Sequence, residues 1–419
     1  MRPALLPVRR RAPGPSLLRT AAALGTMTAL VACGGDTAED AGGGGETEHV
    51  LEASATQVLG TTEALSVVRD LTVDASGTVW VLNETAPFFT AFGPEGEVVV
   101  EMGSQGEGPG EFAMPSALAS TTGGEGAGVW TYDRMRHAMV RVSGPDAALA
   151  GETGEAGDTP VPLPRDDIRP GGFLPGTGGI PGMYPWMESA GGSVFAAHPG
   201  EGMPRGTGFW EARIVEISPA TGEATERWAM EAFLPDPEEH HPGATEFLPI
   251  PLWAICDDGS GWMYDPALHR VRPLDDADAE GRSLLPRRQV AFTPDRLFDL
   301  LLETIRAEVP SSERPADDEL RTILAAEIEE IIDDFAQVFP EYYQLQCAPD
   351  GGLWLQRFDW SEGYGGASPT WERLPADGGE SELIRFPAGF QVFRIDAGRA
   401  WGIVRDEMDI PAVASIELP

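Results

Sequence analysis

The hydrophobic pattern along the chain consists of short apolar runs, each begun by an aromatic residue that follows a glycine-rich turn. In five of the six cases a glycine stands three residues before the aromatic residue, and around Trp130 the glycines are Gly126 and Gly128 instead. A unit that recurs every several tens of residues with its own strands and turns is typical of a radial or stacked β-repeat. The six aromatic residues are Trp80, Trp130, Phe195, Trp262, Trp354 and Trp401.

The first repeat shows most clearly which elements the pattern predicts. Apolar runs at 71–74, 79–82, 88–92 and 97–102 are separated by turns that contain glycine or proline. Strands of this length joined by such turns are typical of an antiparallel meander. Four such strands make one blade of a propeller. The sequence therefore predicts an all-β fold, a six-bladed β-propeller that occupies residues 49–419.

The long gap between the fourth and fifth aromatic residues contains a helical pattern. Thr293 is suited to cap a helix, and Pro294 is suited to its first position. Apolar residues then recur every four positions, and a second pattern of this kind follows Pro315. We predict an α-helical hairpin inserted at about residues 294–340. It would act as a packing cap, the usual role of an amphipathic helix, or alternatively as a lid or partner surface.

The last repeat is short of strands. After Trp401 only residues 413–418 remain for a further strand, whereas residues 49–59 belong to no repeat of their own. We predict that this N-terminal segment completes the last blade and closes the ring. Closure of this kind leaves no open seam between the first and last blades.

The charge pattern divides the chain into a basic start and an acidic remainder. The formal net charge is −38, and the sequence contains no lysine. Nucleic acid is excluded as a partner, because binding its phosphates requires a cationic face. The acidity favours solubility, with attraction of cations and basic ligands as the alternative.

Residues 1–32 have the order of a secretion signal peptide, with an arginine-rich start and an apolar run too short to span a bilayer. The run ends Leu30-Val31-Ala32-Cys33-Gly34, which resembles the lipobox of bacterial lipoproteins. The resemblance implies lipidation of Cys33 and a membrane partner through the lipid anchor. An ordinary signal peptide with an incidental cysteine is the alternative.

The lipoprotein resemblance also implies a location. Gly34 follows the cysteine where an aspartate would indicate retention at the inner membrane. We therefore expect the protein in the cell envelope, at the outer membrane if the organism has one. Residues 33–48, rich in glycine and acidic residues, would then form a flexible tether.

Two repeats share a further pattern of aromatic strand, aspartate and hairpin histidine. Residues 262–271 read Trp-Met-Tyr-Asp-Pro-Ala-Leu-His-Arg-Val, and Trp130-Thr131-Tyr132-Asp133 followed by His137 repeats the order. This pattern resembles the six-bladed β-propellers of the NHL-repeat type. The glycine-rich run 106–112 with Pro115 resembles the linker between blades in that family. The resemblance covers about residues 60–418, and similar lipidated propellers occur in bacteria, mostly without known activity.

Propeller enzymes usually hold a metal at the mouth of the central channel, with ligands from several blades. The gluconolactonase-like propellers use Asn residues there, and Asn83 is the only Asn of this chain. The amidating-lyase propellers hold zinc through histidines, and His137, His198 and His269 lie in successive repeats here. The Asp-x-x-x-His pattern favours a structural role for His137 and His269, because zinc requires three or four converging ligands.

Two cysteines and four tryptophans complete the candidate residues. Cys256 and Cys347 stand just before turns in neighbouring repeats. They form a disulfide if they lie within bonding distance, and buried free thiols are the alternative. The tryptophans that fall outside the repeat phase are candidates for an exposed ligand-contact surface. They are Trp186, Trp210, Trp360 and Trp371.

Together these patterns predict a lipid-anchored propeller outside the cytoplasm that binds a protein, peptide or glycan ligand through its loops. No catalytic residue and no cofactor is predicted. The alternative is a metal-dependent lyase or hydrolase with its site at the channel mouth, which would use a divalent metal.

Overall fold

Among the residues that the structure describes, the strands form six sheets of four or five strands each, together with one two-stranded sheet. The structure, a computed structural model, confirms the prediction of an all-β, six-bladed propeller with a helical hairpin. Within it the described residues are 48–108, 110–143, 160–163, 187–199, 208–234, 252–265, 268–276, 279–286, 293–308, 314–334, 341–358, 367–396, 398–406 and 408–419.

The first three blades are antiparallel meanders whose first strand lies at the axis. Two N-terminal strands, β1 (Glu48–Val50) and β2 (Thr56–Gly60), precede them and flank a 3-10 turn (Ala53–Ala55). From the axis outward, the first blade contains β3 (Val68–Val73), β4 (Val79–Asn83), β5 (Phe89–Phe92) and β6 (Val98–Met102). A parallel pair, β7 (Ser104–Gln105) and β8 (Glu111–Phe112), follows it. The second blade contains β9 (Pro115–Thr121), β10 (Gly128–Asp133), β11 (Ala138–Ser143) and β12 (Val161–Pro162). The third contains β13 (Glu188–Ala190), β14 (Ser193–Pro199), β15 (Gly208–Ile217) and β16 (Ala224–Leu234).

The last three blades repeat this order, and two of them include N-terminal strands. The fourth blade contains β17 (Leu252–Ile255), β18 (Gly261–Asp265), β19 (Arg270–Pro273) and β20 (Arg282–Ser283). The fifth contains β21 (Tyr342–Cys347), β22 (Leu353–Phe358), β23 (Ala367–Leu374), β24 (Glu382–Arg385) and β1. The sixth contains β25 (Phe390–Asp396), β26 (Arg399–Arg405), β27 (Pro411–Glu417) and β2.

The ring closes through the N-terminal segment. The first strands contact one another in the cyclic order β3, β9, β13, β17, β21, β25 and back to β3. Strand β2 pairs antiparallel with β27, with Thr56 opposite Ile416, which confirms that the N-terminal segment completes the last blade. The structure adds a second junction, because β1 pairs parallel with β24 of the fifth blade. Glu48, predicted as the end of the tether, begins that strand.

Burial follows the position of a strand in its blade. The second strand of the first blade, Val-Trp-Val-Leu-Asn, is buried at every residue, whereas the outermost strand β6 is mostly exposed. A central strand is covered on both faces because neighbouring blades pack against it. The apolar clusters accordingly join neighbouring blades: one contains Trp80 with Leu118, and another contains Trp130 with Val194.

The meander gives the ring two unlike ends. Connections from second to third strands and from one blade to the next lie at one end, here called the linker end. Connections from first to second and from third to fourth strands lie at the other, the turn end. At the turn end Gly77 has φ 82°, and Asp74 accepts a hydrogen bond from Trp80 Nε1 at 3.0 Å. In the third blade Gly191, with φ 56°, takes this left-handed position, one residue before the glycine that the spacing indicates.

The helical hairpin lies in the linker between the fourth and fifth blades, as predicted. It consists of α1 (Pro294–Glu308) and α2 (Asp317–Asp334). The backbone N–H of Arg296 donates to Thr293 Oγ1 at 3.4 Å, which makes Thr293 the N-cap. The helices contact each other, and Arg321 of α2 lies over the ring of Phe298 in α1. Among the described residues, no helix combines the length and the apolar character needed to cross a membrane.

Residues 1–47 lie outside the described residues. The signal peptide, lipidation of Cys33 and the tether that precedes Glu48 therefore stay predictions.

Candidate functional site

Three charged side chains from separate blades meet near the axis of the ring. They are Asp70 on β3, Glu188 on β13 and Arg394 on β25. Each lies on the first strand of its blade, which faces the channel. Glu188 is paired with Phe195 and Arg394 with Trp401, so both occupy the position opposite the aromatic residue of their repeat.

The axial ion pair joins opposite sides of the ring. Arg394 Nη1 donates to Glu188 Oε2 at 2.8 Å. The third and sixth blades face each other across a six-membered ring, so this contact spans the channel. The Glu188 side chain is 5% exposed, whereas that of Arg394 is 26% exposed. Part of the Arg394 side chain therefore remains exposed while its partner is buried.

Asp70 lies beside this pair and accepts two backbone hydrogen bonds. Leu118 N, on the first strand of the next blade, donates to Oδ2 at 2.7 Å, and Leu71 N donates to Oδ1 at 2.8 Å. Burial raises the pKa of Asp70 from 3.8 to about 6, although both hydrogen bonds and Arg394 act in the opposite direction. Asp70 thus carries a carboxyl group that titrates in mildly acidic solution.

The electrostatics of the cluster are set by burial and by one cation. Burial raises the pKa of Glu188, and the attraction of Arg394 offsets only part of that effect. The neighbouring Glu188 carboxylate raises the pKa of Arg394 in turn. Arg394 therefore provides, from within the chain, the positive charge that the converging carboxylates require.

Gln346 extends the polar contacts to the fifth blade. Its Nε2 donates to Phe393 O at 2.9 Å, and its Oε1 accepts from Ile395 N at 2.8 Å. The inner edge of a first strand has no neighbouring strand to satisfy its backbone groups. Gln346 and Asp70 satisfy such groups on the next blade, which fastens neighbouring blades at the axis.

Two of the three histidines weighed as metal ligands, His137 and His269, lie in separate blades. His137 and His269 both lie in hairpins at the linker end, with φ 52° and 51°. His137 Nδ1 lies 2.7 Å from Tyr132 Oη, and His269 Nε2 lies 2.8 Å from Leu285 O. His198 is on β14, and its side chain lies outside the described residues. In the part of the chain that is described, no group of three or more His, Cys, Asp or Glu side chains could hold a metal ion.

Asn83, the only asparagine, has a structural role at the linker end. It is buried, and its Nδ2 donates to Pro87 O at 3.1 Å and to Thr90 Oγ1 at 3.2 Å. These bonds fix the loop between β4 and β5.

The prediction that Trp371 is exposed is wrong. Trp371 lies within β23 and is fully buried. It packs with Ile384, Phe386 and Phe390 between the fifth and sixth blades. Trp371 lies on the third strand of its blade, whereas the repeat aromatic residues lie on second strands, so it falls outside the sequence period although it lies inside a strand. Trp186 and Trp360 are outside the described residues, as is the side chain of Trp210 on β15.

Cys256 and Cys347 are joined by a disulfide, with Cα atoms 5.1 Å apart. Cys256 follows β17, and Cys347 ends β21. The bond therefore links the first strands of the fourth and fifth blades at the turn end. These are the blades whose linker contains the helical hairpin.

The axial charges were not among the candidates because they are far apart in sequence. Nothing in the spacing of Asp70, Glu188 and Arg394 indicates a common site. One signal does exist: a polar or charged residue opposite the repeat aromatic residue, on a strand that is otherwise apolar. Glu188, Gln346 and Arg394 all carry it.

Comparison with known proteins shows no family for this chain. No family model matches the sequence, and no curated protein matches it. Among solved structures, the chain is similar to virginiamycin B lyase from Staphylococcus aureus, at 12% identity and a TM-score of 0.37 over 85% of this chain and 87% of that one. It is similar to a gluconolactonase from Xanthomonas campestris, at 12% identity and a TM-score of 0.38 over 88% and 94%. It is also similar to a protein described as exported from Bacteroides fragilis, at 9% identity and a TM-score of 0.46 over 89% and 99%. At these identities and TM-scores the similarities carry no argument about activity.

Proposed function

We propose that this chain is a lipid-anchored binding protein of the cell envelope, which recognises a protein, peptide or glycan at the linker end of its ring. The observation that carries the proposal is the Arg394–Glu188 ion pair across the channel. The pair occupies the axis, where the enzyme alternative requires a metal or a reacting group.

The charge balance at the axis supports this proposal. A metal site gathers carboxylates around a divalent cation. Here Glu188 is already hydrogen-bonded to a guanidinium, and both oxygens of Asp70 accept backbone hydrogen bonds. Metal binding would require the carboxylates to exchange these partners.

The lengths of the connections support recognition at the linker end. Strands β12, β16 and β20 all end there and are followed by long stretches of sequence before the next strand, whereas the turns from first to second strands are short. Binding residues of a rigid scaffold are found disproportionately on such loops. Trp186 and Trp360 belong to linker-end connections and are the aromatic candidates for contact with a ligand.

One observation favours the alternative, a metal-dependent lyase or hydrolase. The raised pKa of Asp70, about 6 through burial, is typical of a carboxyl group that transfers protons in an active site. The enzyme alternative therefore predicts a bound metal and turnover of a substrate, whereas the binding proposal predicts neither.

A ligand screen with matched variants tests the proposal. Soluble protein that starts after Cys33 would be applied to glycan and peptide arrays, and its metal content measured. We expect the protein to retain a ligand on an array and to contain no stoichiometric zinc or calcium. A Trp186→Ala, Trp360→Ala double variant should no longer bind that ligand. The control Asp377→Ala, at an exposed turn-end position, should bind normally. One tightly held metal per chain, with turnover of a lactone or ester, would overturn the proposal.

The anchor is tested separately. In cells that process lipoproteins, the full chain should incorporate labelled fatty acid and fractionate with membranes. Cys33→Ser should abolish the labelling and release the protein into the soluble envelope fraction. Labelling that persists in the variant would contradict lipidation at this residue.

A further inference from the structure

The helical hairpin leaves and rejoins the propeller at two residues that lie close together. Leu285 follows β20 and begins the departing segment, and Glu341 directly precedes β21 and ends the returning one. Residues 286–340 between them contain both helices. The position of the hairpin on the ring therefore depends on how these two residues are held.

His269, on the hairpin between β18 and β19, contacts both of them. Its Nε2 lies 2.8 Å from Leu285 O, and its Nδ1 lies 3.0 Å from Glu341 Oε2. A carbonyl oxygen and a carboxylate oxygen only accept hydrogen bonds. Nε2 therefore donates to the Leu285 carbonyl, and Nδ1 lies at ion-pair distance from the Glu341 carboxylate.

A buried set of side chains fixes the same two segments from the fifth blade. Glu372 accepts from Leu285 N at 2.6 Å and from the hydroxyl of Tyr342, the residue after Glu341. Glu372 is fully buried, and Arg357 Nη2 lies 3.6 Å from it. The N–H of Leu285 therefore donates to Glu372 of the fifth blade, and its C=O contacts His269 of the fourth blade.

The ring of His269 is itself held in place. It stacks on Tyr342 at 6.2 Å between centroids with an interplanar angle of 18°, and Tyr264 meets it edge-on at 6.3 Å. Its side chain is 15% exposed. The orientation that aims its nitrogens at Leu285 and Glu341 is thus set by packing on two blades.

His137 provides an internal comparison. It occupies the same hairpin position in the second blade, with nearly the same left-handed backbone. Its Nδ1 lies 2.7 Å from Tyr132 Oη, a residue of its own blade. Tyr264 is the equivalent tyrosine in the fourth blade, but His269 Nδ1 is directed at Glu341 instead. In the fourth blade, therefore, the histidine of the shared motif contacts Glu341, which ends the segment that returns from the helical hairpin.

We propose that His269 is a clamp that ties the departing and returning segments of the helical hairpin to the seam between the fourth and fifth blades. The clamp fixes the hairpin at the linker end. Most of the stability of a helix in a protein comes from its tertiary packing. Release of the clamp would therefore loosen the hairpin while leaving the blades folded. This inference does not depend on the proposed function.

Hydrogen exchange measured by mass spectrometry tests the clamp. His269→Asn keeps a residue that tolerates the left-handed backbone but cannot reach both partners. We expect exchange in α1 and α2 to accelerate at least about tenfold, with β17 to β19 unchanged. His137→Asn, the matched control, should leave exchange in both helices as in the wild type.

The outcomes separate a clamp from general destabilisation. Equal exchange of the helices in His269→Asn and wild type would overturn the proposal, as would the same acceleration in His137→Asn. If His269→Asn fails to fold, Glu341→Gln serves instead, because it keeps the shape of the side chain and removes the carboxylate. That variant should accelerate exchange in the helices by a smaller factor, and no change there would also overturn the proposal.

Discussion

Two seams of the ring are at risk of opening, and they are fastened in different ways. In the sixth blade the seam is formed by the two ends of the chain, where β2 pairs with β27 through backbone hydrogen bonds. Between the fourth and fifth blades the chain makes its longest excursion, residues 284–341. There the disulfide Cys256–Cys347 fastens the turn end and the His269 contacts fasten the linker end.

The comparison teaches where a propeller needs extra fastening. A short linker holds neighbouring blades together at little entropic cost, whereas closing a long one costs more. At the end seam no linker exists, and strand pairing takes its place. At the insertion seam the linker is too long to hold the blades, and a covalent bond near the axis replaces it.

The largest effect should follow removal of the strand that closes the end seam. Deletion of residues 48–60 removes β1 and β2 and leaves an open edge on β27. We expect a loss of stability greater than the about 2–4 kcal/mol of a disulfide, seen as a lower melting temperature or failure to fold. Deletion of residues 34–47, which lie outside these strands, should have no such effect. An unchanged melting temperature in the first deletion would reject closure by the N-terminal segment.

The second largest loss of stability should follow removal of the axial ion pair, which joins the sixth blade to the third. Arg394→Met leaves Glu188 buried without its partner, which should lower the free energy of unfolding by about 3–5 kcal/mol. Urea denaturation of the soluble protein measures it. The double variant Arg394→Met, Glu188→Met removes both charges and should be less destabilised than the single one. Equal stability of Arg394→Met and wild type would show that the Arg394–Glu188 ion pair does not stabilise the fold.

The two seams also differ in how far the sequence predicts them. Strand pairing at the end seam is predictable, because residues 49–59 have no repeat of their own and the last repeat lacks a strand. The hairpin in the insertion is predictable from its four-residue period and from Thr293. The axial cluster is not, because it depends on which strand residues face the channel. The buried position of Trp371 was missed because this residue lies on a third strand, whereas the aromatic residues that define the repeat lie on second strands.

A smaller effect should follow loss of the disulfide at the insertion seam. Cys256→Ser with Cys347→Ser opens a cross-link between residues 91 apart in sequence, which should cost about 2–4 kcal/mol of unfolding free energy. Reduction of the wild type with dithiothreitol should reproduce the loss, and reduction of the double variant should change nothing. Identical melting of oxidised and reduced wild type would show that the disulfide does not stabilise this seam.

The smallest effect should appear at an ordinary seam, between the first and second blades, where Asp70 accepts from Leu118 N. Burial raises the pKa of Asp70 from 3.8 to about 6, so between these values the native state binds more protons than the unfolded state. Stability from this residue therefore falls as pH rises from about 4 to about 6, by at most about 3 kcal/mol. The partial exposure of Asp70 reduces that figure. Asp70→Asn should flatten this part of the pH profile of unfolding free energy, whereas Asp377→Asn, at an exposed turn, should preserve it. If the wild type and Asp70→Asn profiles run parallel from pH 4 to pH 6, Asp70 does not titrate in this range. The enzyme alternative would then lose the one observation that favours it.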